Sequence, residues 1–224
     1  MANVPFERHH ALVISFTVSY QPGQYYIQLP DRKFSVGSKY PTFEWFYSKG
    51  IKDLLSSDVD FDKWKLSIYD DMNFKIAGEF KYRISAGGFI NSNHVEIPDF
   101  THFNGNQTYR LYNKLNGFQL APYYQYSNIA KLYGELHVEH HFNGLITNKI
   151  PLLNKLKWNL VAGTNSFYVN SSNYYVEAFA GIENILKMLR IDFITASQAA
   201  PANVFGVRLG FGGVLGNSIQ LKRK

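Results

Sequence analysis

The stretch FKIAGEFKYRIS, residues 74–85, decides how the chain is to be read. Phe74, Ile76, Phe80, Tyr82 and Ile84 fall on one set of alternate positions, and Lys75, Glu79, Lys81, Arg83 and Ser85 on the other. A period of two belongs to extended chain, because successive side chains of a strand leave opposite sides of the backbone. One face is apolar and the other polar and charged, so the strand separates two environments.

The same alternation runs outward in both directions. ALVISFTVSY (11–20) sets Leu12, Ile14, Phe16, Val18 and Tyr20 against Val13, Ser15, Thr17 and Ser19, PTFEWFYSKG (41–50) isolates Phe43, Trp45 and Tyr47, and KWKLSIYD (63–70) isolates Trp64, Leu66 and Ile68. Toward the C-terminus come LYGELHVEHHF (132–142), KWNLVAGTNSFYV (157–169), YYVEAFAGIEN (174–184), KMLRIDFITAS (187–197) and VFGVRLGFGGV (204–214). The pattern predicts about nine strands, each near the ~9–11 residues that cross a bilayer at a tilt. Short connections, QPG, DDMN and NSSN, are expected to alternate with long ones. The longest is PDFTHFNGNQTYRLYNKLNGFQL (98–120), part of an interruption over about 91–130 that exceeds an ordinary hairpin loop.

Composition narrows the classes. The 224 residues suit a single all-β domain, and 0 cysteines exclude a disulfide framework and thiolate metal sites. Aromatic residues make up 17% and charged residues only 18%, where a soluble domain has about 25% charged. No run approaches the ~20 apolar residues of a membrane-spanning helix, and the mean hydropathy is −0.22. MANVPFERHH (1–10) has no apolar signal core, so an exported barrel would be represented here by a C-terminal fragment.

Two architectures satisfy the alternation: a soluble β-sandwich serving as an extracellular or periplasmic binding module, and an antiparallel transmembrane β-barrel. Strand length, Tyr and Trp at strand ends, and the spacing of the connections favour the barrel.

Chemistry-bearing motifs are sparse. There is no G-x-S-x-G elbow, phosphate-binding glycine loop or triad order, so no catalytic residues, cofactor or enzyme activity is expected. The glycines of GVRLGFGG have strand spacing and no following helix, unlike a dinucleotide site. Around HVEHH (137–141), Glu135, His137, Glu139 and His141 share a face, but one straight strand cannot converge ligands on a metal, so they are read as a polar lumen wall. The net charge is +6 and the pI about 9.3. The cations are scattered along polar strand faces, which points away from nucleic acid and is met equally by basic rims beside acidic lipid headgroups.

PDFTHFNGNQ, LAPYYQYS, HVEHHFNG, NKIPLLNKLKW, GIENILKMLRIDF and the closing GVRLGFGG resemble the C-terminal barrel of a Gram-negative outer-membrane family of unassigned function. Its members carry a carboxypeptidase-regulatory-like β-sandwich ahead of a surface-antigen (BamA-like) barrel. The resemblance implies roughly the last nine strands of a 16-stranded barrel, an outer-membrane location, and lipids, the barrel assembly machinery and polypeptide or surface-lipoprotein cargo as partners. It also implies that the long loop, with His102, Phe103, Asn104 and Gly105 at its tip, folds inward. Where relatives in the wider superfamily place an Arg at the tip, this chain has Asn104, and the receiving wall positions correspond to Glu139 and Asn165, the latter usually a carboxylate. An amide and backbone lock is therefore expected, with Gly105 supplying positive φ. A disordered surface loop would suit Phe100, Phe103, Tyr109, Leu111 and Tyr112 poorly.

On the barrel reading Leu66, Ile76, Phe80, Leu136, Leu160, Leu189, Ile191, Leu209 and Phe211 point outward. Lys65, Glu79, Lys81, Arg83, Glu139, Arg190, Asp192 and Arg208 point inward. Gly206, Leu209 and Phe211 resemble the C-terminal signal read by the assembly machinery, although the tail VLGNSIQLKRK departs from the usual aromatic terminus.

Overall fold

A computed structural model describes residues 9–105, 115–122, 124–142, 145–198 and 204–211. Their strands are β1 (Val13–Tyr20), β2 (Tyr25–Gln28), β3 (Lys33–Gly37), β4 (Thr42–Gly50), β5 (Asp60–Asn73), β6 (Glu79–His94), β7 (Tyr133–Phe142), β8 (Asn159–Asn170), β9 (Asn173–Ile185), β10 (Leu189–Gln198) and β11 (Val204–Phe211). Among the described residues one short α-helix, α1 (Pro151–Leu156), precedes β8. No helix among the described residues is long and apolar enough to cross a membrane.

The protein is an all-β antiparallel structure. Nine strands form one sheet in the order β1-β4-β5-β6-β7-β8-β9-β10-β11, and β2 and β3 form a separate hairpin. Each of the nine alternating segments contributes one strand, in sequence order. Among the described residues no second large sheet packs on the first, as a sandwich would require, and no pairing joins β1 to β11.

Local differences from the sequence expectation have simple causes. Phe74, Lys75, Ile76 and Ala77 do not begin a strand: they form a tight turn in which the Phe74 N–H donates to the Gly78 carbonyl at 2.7 Å. Ile76 is accordingly 75% exposed at the turn rather than placed on the outward strand face. Gly78, at φ 104°, permits that reversal. QPG is not a short connection but the start of a 21–41 excursion carrying the β2–β3 hairpin. Short and long connections occur at both ends of the sheet: residues 171–172 join β8 to β9 at the same end where residues 95–132 join β6 to β7. Tyr109, Leu111, Tyr112 and the tail beyond residue 211 lie outside the described residues.

Register explains how the sheet's inner face is organised. One row across it reads Glu44, Ser67, Ser85, Glu135, Phe167, Tyr175, and the next reads Tyr69, Arg83, His137, Asn165, Glu177, Ala196. Ser67, Ser85, Glu135, His137, Asn165 and Glu177 are all buried. The opposite face carries exposed Ile14, Phe16, Trp45, Leu66, Ile84, Phe193 and Leu209. This inverts a soluble sheet, in which large apolar groups are covered and charges face solvent. The cover on the inner face is the β6–β7 connection.

Candidate functional site

The connection between β6 and β7 lies on the inner face of the sheet and is held there at two points by opposite charges. Near its start, the Lys63 ammonium donates to the Phe100 and Asp99 carbonyls at 2.9 and 3.3 Å. On its return, the Glu177 carboxylate, 0% exposed, accepts the Gln119 N–H at 2.9 and 3.0 Å and the Leu120 N–H at 3.2 Å. A cation thus meets carbonyls and an anion meets N–H groups, each a charge-assisted bond to backbone that loop side chains need not supply.

Glu177 has further support. Asn165, opposite it in the β8–β9 register, donates from Nδ2 at 2.6 Å, and the Tyr175 hydroxyl donates at 2.9 Å. Asn165 Oδ1 in turn lies 3.0 Å from His137 Nδ1. A buried carboxylate surrounded by donors tolerates its desolvation, because its lone pairs remain satisfied.

Aromatic packing fills the space between the two anchors. Phe103 stacks on Phe167 with ring centroids 3.9 Å apart, and Phe118 meets the edges of Phe167 and Tyr175 at 5.2 and 5.6 Å. Phe103, Phe118, Ala121 and Tyr126 of the loop and Tyr133, Phe167, Tyr175 and Ala196 of the wall make one buried cluster. Burial raises the Tyr126 phenol above its ordinary range, so it stays neutral.

The loop docks, but not through the contacts the sequence suggested. Asn104 is exposed and its Nδ2 donates to the Asn116 carbonyl within the loop at 3.0 Å. Glu139 and Asn165 do not receive it: Asn165 serves Glu177, and Glu139 binds Arg190. Gly105 does not have positive φ. It is required because a Cβ there would lie 2.6 Å from the Ala121 carbonyl oxygen. His102 bonds the Ser127 hydroxyl at 2.7 Å, and Phe103 is the tip residue that reaches the wall.

Farther along the inner face lies a charged tier. Arg190 donates from Nη1 to Glu139 at 2.8 Å and from Nε to Asp192 at 2.9 Å. Arg208 donates from Nε to Asp192 at 2.8 Å, and Asp192 is 0% exposed. His141 lies between Glu139 and Glu183, at 2.7 and 2.9 Å. Two glycines on the intervening strands make room for this tier's neighbours: a Cβ on Gly181 would stand 2.1 Å from Asp192 Oδ1, and one on Gly163 2.4 Å from the Phe179 ring. Among the described residues no group of three or more His, Asp or Glu is arranged to hold a metal ion.

The remaining candidates are dispersed. Glu135 pairs with Lys65, Arg83 lies 3.5 Å from Glu44, and Lys81 lies 3.8 Å from Glu79. Gly206 faces inward, where a Cβ would meet Leu120 of the loop at 2.5 Å, whereas Leu209 is exposed on the outward face. Gly206 therefore has a packing role against the loop. Phe211 sits opposite Leu189 in the β10–β11 register, and its side chain lies outside the described residues.

Sequence reasoning missed Lys63, Phe118, Gln119, Leu120 and Glu177. A usable signal was present in YYVEAFAG, where alternation puts Glu177 on one face with Tyr175 and Phe179, a lone carboxylate among aromatics. Such a group needs donors from elsewhere in the fold.

No curated protein and no solved structure matches the chain. The model described as "Family of unknown function (DUF5686) C-terminal domain" matches residues 1–182, and the chain belongs to that family.

Proposed function

We propose that this chain is part of an outer-membrane β-barrel whose inward loop plugs the lumen side of the sheet, and that the full protein assists insertion or passage of polypeptides or surface lipoproteins at the outer membrane. It would act without chemistry of its own, as part of a 16-stranded barrel related to the surface-antigen superfamily. The observation carrying this reading is the inverted sheet: exposed Ile14, Phe16, Trp45, Leu66, Phe193 and Phe205 on one face, buried Glu177, Asp192, Arg190 and Arg208 on the other. Apolar side chains in that number facing outward are stable against hydrocarbon and costly in water. Hydrogen bonding of every strand to its neighbours also suits a spanning structure, because lipid offers no partners.

The test is made on the full-length protein in its own membrane. Expected results are extraction by detergent only, heat-modifiable gel mobility, and a loss of about 2–4 kcal/mol when Arg replaces the outward, mid-strand Leu66. Solubility in plain buffer, or tolerance of Leu66→Arg equal to that of an inward Arg, would remove the barrel reading. For the transport role, depletion should lower the amount of surface-exposed lipoprotein measured by protease shaving; unchanged surface display would leave a barrel with another task.

A further inference from the structure

The two ends of the nine-stranded sheet differ in charge. Strict up-and-down order puts connections 21–41, 74–78, 143–158 and 186–188 at one end, and 51–59, 95–132, 171–172 and 199–203 at the other. At the first end the hairpin excursion carries Arg32, Lys33 and Lys39, and the β5–β6 turn carries Lys75. The approach to β8 carries Lys149, Lys155 and Lys157, and the β9–β10 turn carries Lys187. All of these are exposed, and the one carboxylate among them, Asp31, is already paired with Arg32 at 3.2 Å. At the opposite end the described residues hold Lys52 and Lys131 against Asp53, Asp58, Glu96 and Asp99. Cations that the sequence scattered along the chain are therefore gathered by topology onto one rim.

Exposed apolar groups accompany them. Tyr26 and Phe34 on the hairpin are 51% and 44% exposed and lie under Lys33 and Arg32, while Ile76 and Leu186 at neighbouring turns are 75% and 77% exposed. The connections are tied side by side: Asn184 Nδ2 donates to the Lys157 carbonyl at 2.6 Å, and His140 Nε2 lies 2.9 Å from the Ala77 carbonyl. Apolar side chains occur at both ends of the sheet; among the described residues of the connections, charge of nearly one sign is found at this end and mixed charge at the other.

We infer that this basic rim seats on anionic phospholipid headgroups, its lysines and arginine pairing with phosphates while Tyr26, Phe34, Ile76 and Leu186 enter the boundary between headgroups and acyl chains. Basic residues gain from a negative bilayer surface roughly independently, and aromatic groups with polar or cationic neighbours prefer that depth. A soluble acidic protein would satisfy the charges but would gain nothing from apolar tips spread over three separate connections. The inference rests on the membrane-barrel reading above.

The experiment uses the full-length protein reconstituted into bilayers of phosphatidylcholine and phosphatidylglycerol in equal parts, with lipid A present at low level. The protein is extracted with its nearest lipids in polymer discs, and the lipids are quantified. The expected result is several-fold enrichment of phosphatidylglycerol over the bulk, falling to the bulk ratio in a variant carrying R32Q, K33Q, K155Q, K157Q and K187Q, and unchanged in K52Q at the other end. All these side chains are exposed, so folding is retained and is checked by heat-modifiable mobility. Enrichment that survives the five substitutions, or selective retention of lipid A, overturns the inference. Failure of the protein to resist alkaline extraction from the bilayers would instead sink the barrel reading on which it stands.

Discussion

The inner face contains two buried charged regions a few residues apart that are stabilised in opposite ways. Around Glu177 a lone carboxylate is satisfied by neutral donors: the N–H groups of Gln119 and Leu120, the Asn165 amide and the Tyr175 hydroxyl. Around Asp192 the carboxylate is satisfied by two guanidiniums, those of Arg190 and Arg208. The first arrangement joins a loop to the wall and can be released without stranding a cation. The second joins strands β7, β10 and β11 to each other through Asp192, whose loss would leave Arg208 buried without an anionic partner. The difference separates a latch from a brace.

The comparison can be broken by substitution, beginning with the brace. Asp192→Asn removes the shared anion of two buried arginines and should cost about 3–5 kcal/mol, read as lowered denaturant resistance of the folded protein. A cost near that of a surface change would mean the tier is solvated and not a brace.

The latch should fail more gently and more locally. Glu177→Gln replaces charge-assisted acceptance with a neutral amide and should cost about 1.5–3 kcal/mol. The loop segment around Phe103 should become accessible to added protease while strand content by circular dichroism stays unchanged. If strand content falls with the loop, Glu177 holds the sheet as well, and the distinction between the two regions collapses.

Gly105→Val sharpens the latch further, because it acts on the loop without touching Glu177. Its side chain would meet the Ala121 carbonyl, so overpacking of about 1–3 kcal/mol is expected, again with protease access near Phe103. Equal protection in wild type and variant would show that the 101–105 turn has room to shift.

The smallest effect is expected at Asn104. It is exposed and bonded only within the loop, so Asn104→Ala should cost about 0.5–1.5 kcal/mol. Asn104→Arg and Asn165→Asp should add within roughly 0.5 kcal/mol, since the two positions share no partner. A strong favourable coupling between them would restore the Asn104–Asn165 lock that the sequence suggested and remove Glu177 as the receiver. Asn165→Asp alone should be harmful, because it sets a second carboxylate 2.6 Å from Glu177.

The strands and their two faces were legible from residues 11–214 because side-chain alternation is a local property of extended chain. Leu66, Leu136, Leu160 and Ile191 stand on one face and Lys65, Glu139, Arg190 and Asp192 on the other by parity alone. Parity is silent where the chain leaves the sheet, which is why the turn at Phe74–Gly78 reads as the start of a strand and the β2–β3 hairpin leaves no mark. Their alternation is interrupted or serves a two-stranded ribbon outside the main sheet.

By itself, then, the sequence determined the number of strands in the main sheet, their order along the chain, the separation of an apolar from a charged face, and the presence of one long aromatic connection. Only the tertiary structure decided what that connection binds. Partners across a sheet are chosen by register between strands, and register aligns Asn165 with Glu177 and leaves Glu139 to Arg190. Alternation marks Glu177 as a lone carboxylate among aromatics, but residue types along one strand do not say which loop segment it receives, because its donors from the loop are backbone N–H groups, which every residue but proline carries and no side-chain pattern marks.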